Sequence, residues 1–210
     1  MPDHSNRGED RSHGYEEYAE VFMRARNTRI GPRVMRDWAG QLAEGAEVLE
    51  LGCGHGVISE VLIGAGPAGA GLAGAGLTLF AVDASPTLLA VFRKRFPGVR
   101  TECAAAEDSS FFGRRFDGVV AWGLIFLLEE ESQRRLIAKM AEALKPGGQL
   151  VFTAPHERVE WIDSITERPS RSLGAAEYER LLNEAGLKVT PGTTDEGENY
   201  YFYAVRERDQ

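Results

Sequence analysis

Two glycine clusters compete to be the ligand-binding turn of this chain, and one aspartate serves both. The first is "VLELGCGHG", residues 48–56, with Glu50, Gly52, Gly54 and Gly56 spaced E-x-G-x-G-x-G. The second is "VLIGAGPAGAGLAGAGLTLFAVD", residues 61–83, in which Gly64, Gly66 and Gly69 fit G-x-G-x-x-G. Glycines so spaced permit positive φ and let the backbone come close to a ligand, as a nucleotide turn requires. Asp83 lies 19 residues beyond Gly64, near the roughly 20 expected of a ribose-binding acid, and an acceptor-only carboxylate suits a vicinal diol. Both clusters nominate Asp83 for that role; its alternative is a plain helix-capping aspartate.

Chain length decides between the clusters. A turn at Gly64 to Gly69 leaves seven residues, 70–76, before the apolar run that begins at Leu77, and three of the seven are glycine. A parallel crossover takes about a dozen residues or more, and each glycine costs about 1 kcal/mol against alanine inside a helix. A turn at Gly52 to Gly56 leaves twenty residues, 57–76, enough for a helix and a Gly/Ala loop. The first cluster is the better ligand turn, and the second reads as a flexible low-complexity loop away from the ligand. The competing use of Gly64 to Gly69 would make the protein an oxidoreductase binding NAD(P) or FAD.

The elements that must position these residues alternate. Strands are expected at 47–51, 77–82, 99–103, 116–121 and 149–154, with helical patterns at 57–63, 87–96 and 130–144 between them. Such alternation predicts a mostly parallel sheet covered on both faces. Ser85 is a candidate N-cap with Pro86 at the first helical position. A last helix at 175–184 stops at Gly186, before short strands at 187–190 and 200–205. Upstream, residues 15–26 have helical periodicity through Tyr15, Tyr18, Ala19 and Phe22, and a second helix starts at Pro32 with Val34, Met35, Trp38 and Leu42 on one stripe.

Bulk composition narrows the partners. A chain of 210 residues suits one domain with a substantial core. No apolar run approaches the roughly 20 residues of a membrane span, and the polar N-terminus lacks a leader pattern, which predicts a cytoplasmic protein with no membrane partner. Net charge is −8, with 32 acidic against 24 basic residues. That opposes a nucleic-acid partner, because phosphate binding relies on clustered Lys and Arg. Cys53, Cys103 and four scattered histidines form neither a disulfide framework nor a metal set.

After "VLELGCGHG" come "LFAVDAS", "CAAAEDSSF", "FDGVVAWGLIFLL" and "LKPGGQLVFTAP", in order over residues 46–155. This succession resembles the class I S-adenosylmethionine-dependent methyltransferases. The tail "AEYERLLNEAGLKVT" with "NYYFYAV" resembles the closing helix and paired strands of that fold. The resemblance implies a Rossmann-like α/β three-layer sandwich, its mostly parallel seven-stranded sheet ending in an antiparallel strand. It also implies S-adenosylmethionine as cofactor and S-adenosylhomocysteine as product. Asp83 would hold the ribose diol, Gly52 and Gly54 would admit the methionine end, and Glu50 would hold its ammonium or else brace the loop. The Ala106 N–H and the Glu107 carboxylate would meet adenine, with Asp108 as a competing acid and Ala105 where many relatives have an acid. Trp122, Gly123 and Leu124 would border the methyl, since open α/β sheets bind ligands outside their strand C-termini; Trp122 walls the acceptor pocket or packs in the core.

Methyl transfer from a sulfonium is an in-line displacement, so holding donor and acceptor aligned supplies much of the effect. A base is needed only where the attacking atom must lose a proton. His156, after the fifth strand, is the best-placed histidine for it, the alternative being an exposed loop side chain. Tyr15, Tyr18, Trp161 and the turn around Glu196 and Glu198 form a lid over the acceptor, or else ordinary packing and a solvated turn. Three regions are expected: a disordered tail over 1–13, N-terminal helices over 14–45 capping the active site, and the methyltransferase domain over 46–210. Within the last, residues 156–172 are expected as a long loop closing the acceptor site. The reaction expected is methyl transfer to an O, N or S atom of a small molecule, by a monomer or homodimer without a metal. A protein or RNA methyltransferase and a non-enzymatic S-adenosylmethionine-binding protein are the alternatives.

Overall fold

The computed structural model describes residues 10–26, 28–64 and 76–208. The chain opens with α1 (Ala19–Ala25) and α2 (Pro32–Ala39), then runs β1 (Glu47–Leu51), α3 (Val57–Gly64), β2 (Thr78–Asp83), α4 (Pro86–Arg95) and β3 (Arg100–Cys103). It continues through β4 (Phe116–Ala121), α5 (Glu130–Glu142) and β5 (Leu144–Thr153) to β6 (Arg158–Ile162) and β7 (Pro169–Leu173). α6 (Ala175–Glu184), β8 (Leu187–Thr194) and β9 (Tyr200–Arg206) close it.

Seven strands form one sheet in the order β3-β2-β1-β4-β5-β9-β8. The pairs from β3 to β5 are parallel, and β9 runs antiparallel to both β5 and β8. Side chains alternate between faces along each strand, and the core divides accordingly. Leu49, Leu51, Val119, Leu150 and Phe152 pack with Leu136, Ile137 and Met140 of α5 and Tyr178 and Leu182 of α6. On the other face Val48, Ala81, Val120 and Val151 pack with Met35 and Trp38 of α2, Ile58 and Leu62 of α3, and Leu89 and Phe92 of α4. A three-layer α/β sandwich results, as the strand and helix alternation requires.

The turn between β1 and β2 settles which glycine cluster opens the crossover helix. α3 begins directly after Gly56 and runs to Gly64, so the first cluster joins strand to helix. Residues 65–75, where the flexible loop was expected, lie outside the described residues. Ser85 caps α4 as expected, its Oγ accepting the Leu88 N–H at 3.1 Å with Pro86 next in line.

Three expectations are corrected. Within the tail expected to be disordered, residues 1–9 lie outside the described residues, but 10–13 form a turn. Asp10 accepts the Ser12 and Gly14 N–H groups, and Arg11 pairs with Asp108 at 2.7 Å. The helix expected over 15–26 is confined to α1, and residues 15–18 before it are turns. The long loop expected over 156–172 is instead an antiparallel hairpin of β6 and β7, register Arg158↔Leu173 to Ile162↔Pro169. Most of β6 is exposed, so its apolar alternation is too weak to read as a half-buried strand.

Candidate active site

β1, β2, β3 and β4 end side by side, and their C-terminal turns line a cavity of about 500 Å³. Gly52, Gly54 and Gly56 hold φ of +69°, +54° and +93°, backbone conformations that carry little cost only in glycine. The loop is pinned to the neighbouring strand: Gly52 N–H and Cys53 N–H both donate to the Val82 carbonyl, at 2.8 and 3.2 Å.

Asp83 ends β2 and is 9% exposed. Its Oδ2 accepts the Gly54 N–H at 2.7 Å and its Oδ1 the Ser85 N–H at 2.8 Å. The carboxylate therefore fastens the glycine loop to the start of α4. Each oxygen carries a second acceptor site, so both remain available to a diol. Burial pushes its pKa up, against the two N–H bonds that favour the charged form.

Glu50, 2% exposed, accepts the Ser59 hydroxyl at 2.5 Å. Burial, with Asp83 adding like charge, pushes its pKa up to about 8. An acid so placed holds a proton at neutral pH until a cation arrives beside it.

After β3 the chain bends through Ala104, Ala105, Ala106 and Glu107, all of which line the cavity. Lys139 of α5 holds this bend from beneath, donating to the carbonyls of Ala106, Glu107 and Ser109 at 3.1, 2.8 and 2.6 Å. Asp108 is turned outward to Arg11, so Glu107 is the carboxylate the bend presents.

Trp122 follows β4. Its indole N–H donates to the Tyr201 hydroxyl at 2.7 Å, and that hydroxyl donates to Asp195 Oδ2 at 2.8 Å. The Arg26 guanidinium lies 3.8 Å from the Trp122 ring centroid, a cation–π contact that draws the end of α1 across the cavity. Burial lowers the Arg26 pKa to about 10, so it stays charged at neutral pH.

Residues 48–148 match the family described as "Methyltransferase domain". The matched stretch, 101 of 210 residues, is similar to a methyltransferase domain. No curated protein matches the chain, but solved structures share its fold. An O-methyltransferase family protein from Burkholderia thailandensis is 18% identical with a TM-score of 0.67; 92% of this chain is covered, and the chain spans 59% of that protein. Magnesium protoporphyrin IX methyltransferase from Synechocystis PCC 6803, with bound S-adenosylmethionine, is 16% identical with a TM-score of 0.68, covering 97% of this chain and 100% of that one. The 1,6-didemethyltoxoflavin-N1-methyltransferase from Burkholderia thailandensis is 16% identical with a TM-score of 0.68, covering 99% and 94%.

The cavity gathers some of the residues nominated from sequence and not others. Glu50, Gly52, Gly54, Asp83, Ala105, Ala106, Glu107, Trp122, Gly123, Leu124 and Tyr15 line it. Tyr18, at the start of α1, does not. Trp161 reaches the wall only through Phe126, its ring 5.3 Å away. His156 is not among the residues that line the cavity; its side chain is 52% exposed and its ring lies against Tyr200. In the acidic turn, Gly197 and Asn199 line the cavity rather than Glu196 and Glu198, and Glu196 pairs outward with Arg33. Sequence reasoning missed Ser12, His13, Phe22, Arg26, His55 and Asp163. Only His55, inside the glycine turn, carried a local signal; the others reach the cavity through long-range packing.

Proposed function

We propose that this chain transfers a methyl group from S-adenosylmethionine to a small organic acceptor. The observation that carries the proposal is Asp83, buried at the end of β2 and hydrogen-bonded to the glycine turn at the mouth of one cavity. The turn suits the cofactor: with left-handed φ at Gly52 and Gly54, no Cβ covers the backbone that would face it. A Cβ built on Gly52 would meet Leu124 at 3.2 Å, so the close packing there also requires glycine.

When bound, S-adenosylmethionine supplies a methyl on a sulfonium, with a neutral thioether as leaving group. The chain's residues do the positioning. The free acceptor sites of Asp83 take the ribose hydroxyls, and Glu50, which burial keeps protonated until a cation arrives beside it, gives up its proton and takes the ammonium. The Ala106 N–H and the Glu107 carboxylate face adenine on the bend that Lys139 supports. Trp122, locked by Tyr201 and Asp195, bounds the methyl. The N-terminal helices cap the site, with Phe22 against Gly54 and Arg26 against Trp122.

Beyond these residues the cavity is walled by Ile30, Leu124, Phe126, Leu127 and Ile165, an apolar chamber of the kind small-molecule sites present. The solved neighbours named for magnesium protoporphyrin IX and 1,6-didemethyltoxoflavin support a small acceptor. Calorimetric titration with S-adenosylhomocysteine, NADH and FAD tests the proposal. Micromolar binding of S-adenosylhomocysteine alone is expected; binding of NADH or FAD with no response to S-adenosylhomocysteine would refute it.

A further inference from the structure

We infer that Asp163 selects the acceptor, so that the chamber takes an apolar molecule presenting an amine or another N–H donor to the Asp163 carboxylate. The inference rests on the methyltransferase reading for the role of the chamber, and its chemistry comes from the carboxylates around it.

Among the described residues, four carboxylates line the cavity: Glu50, Asp83, Glu107 and Asp163. Glu50 and Asp83 are tied to the glycine turn and α3, and Glu107 stands on the bend after β3. Asp163 arrives from the opposite side, in the turn of the β6–β7 hairpin.

Its two oxygens are used unequally. Oδ1 accepts the Ile165 N–H at 3.0 Å, the Thr166 N–H at 2.8 Å and the Thr166 hydroxyl at 3.0 Å. Among the described residues, Oδ2 is met by the Tyr15 hydroxyl at 3.4 Å, well beyond the roughly 2.7–2.8 Å of a good O–H···O bond. Arg168, whose carbonyl accepts the Asp163 N–H, turns its guanidinium to Asp10 at 2.9 Å. Arg11 is taken by Asp108, and Arg26 lies over the Trp122 ring.

A half-buried carboxylate oxygen with spare acceptor sites thus borders the apolar chamber. An ammonium or N–H donor there gains a charge-assisted bond about twice as strong as a neutral one. An alcohol gains less, and a carboxylate meets like charge. Tyr15, whose phenol is pushed far above its ordinary pKa by burial and by Asp163, stays neutral and can follow either partner.

Three probes of one chain length separate these outcomes: 3-phenylpropylamine, 3-phenylpropanol and 3-phenylpropionate, each titrated into protein saturated with S-adenosylhomocysteine. 3-Phenylpropylamine should bind at least about tenfold more tightly than the other two. Asp163→Asn, which keeps Oδ1 for the hairpin turn, should erase that preference while leaving S-adenosylhomocysteine affinity within about twofold. A preference for the alcohol or acid, no amine binding, or a preference that survives Asp163→Asn would overturn the inference. Should Asp163→Asn misfold, the wild-type ranking alone decides. Wild-type protein that fails to bind S-adenosylhomocysteine would instead sink the methyltransferase reading.

Discussion

Asp83→Asn separates a carboxylate that only braces a loop from one that also holds a ligand. In the folded protein Asp83 accepts two backbone N–H groups, from Gly54 at 2.7 Å and Ser85 at 2.8 Å, and is 9% exposed. An amide keeps one acceptor oxygen and sets its NH2 against the second N–H. One buried donor then lacks its partner, at a cost of about 1–3 kcal/mol. Against a total stability of about 5–15 kcal/mol the variant still folds. Alanine would strand both donors and cost about 2–6 kcal/mol, enough to confuse lost binding with lost folding. A ribose diol facing the amide loses a hydrogen bond to a charged acceptor, about 1.5–3 kcal/mol, so S-adenosylhomocysteine should bind about 10- to 150-fold more weakly. Urea unfolding and calorimetric titration of the same preparation read both effects. A lowered urea midpoint with wild-type affinity would mean that Asp83 braces the loop and touches no ligand; an unchanged midpoint would refute the hydrogen-bond accounting itself.

The remaining perturbations probe the rest of the site. Burial holds the Glu50 carboxyl protonated up to about pH 8, against an ordinary 4.5; the folded state then binds a proton that the unfolded chain releases. That stabilisation is fully present below about pH 4.5 and is lost as pH rises through about 8, so Glu50→Gln should flatten the fall in urea midpoint between pH 5 and 8.5. The same proton should leave when the ammonium of S-adenosylhomocysteine binds, giving a calorimetric heat at pH 7 that varies with buffer in wild type and not in Glu50→Gln. Gly56→Ala places a Cβ in the Phe96 ring at a φ of +93°, and should cost about 2–5 kcal/mol in urea unfolding; a loss below 1 kcal/mol would mean the loop relaxes freely. Lys139→Met strips the donor from three carbonyls, which predicts about 1–3 kcal/mol of lost stability and weaker binding of adenosine itself; full adenosine affinity would dissociate the bend from adenine.

The sequence by itself determined whatever depends on near neighbours in the chain. β1, β4 and α6 stand at the expected bounds, because continuous apolar runs, an N-terminal proline or a terminal glycine act over a few residues. The glycine turn and Asp83 were legible for a related reason: a parallel crossover of limited length leaves only one place for the helix, and the adjoining strand must then end at Asp83. Tertiary structure decided which side chains meet above that frame. Asp163 reaches the cavity on a mostly exposed hairpin whose strands carry little apolar alternation, and Arg26 through a ring contact with a residue 96 positions away. His156 follows a strand end as read from sequence, and its ring packs on Tyr200 rather than lining the cavity. Strand and helix patterns specify the two faces of a sheet, but loop side chains take their partners from folding free energy summed over the whole molecule, which no local spacing encodes.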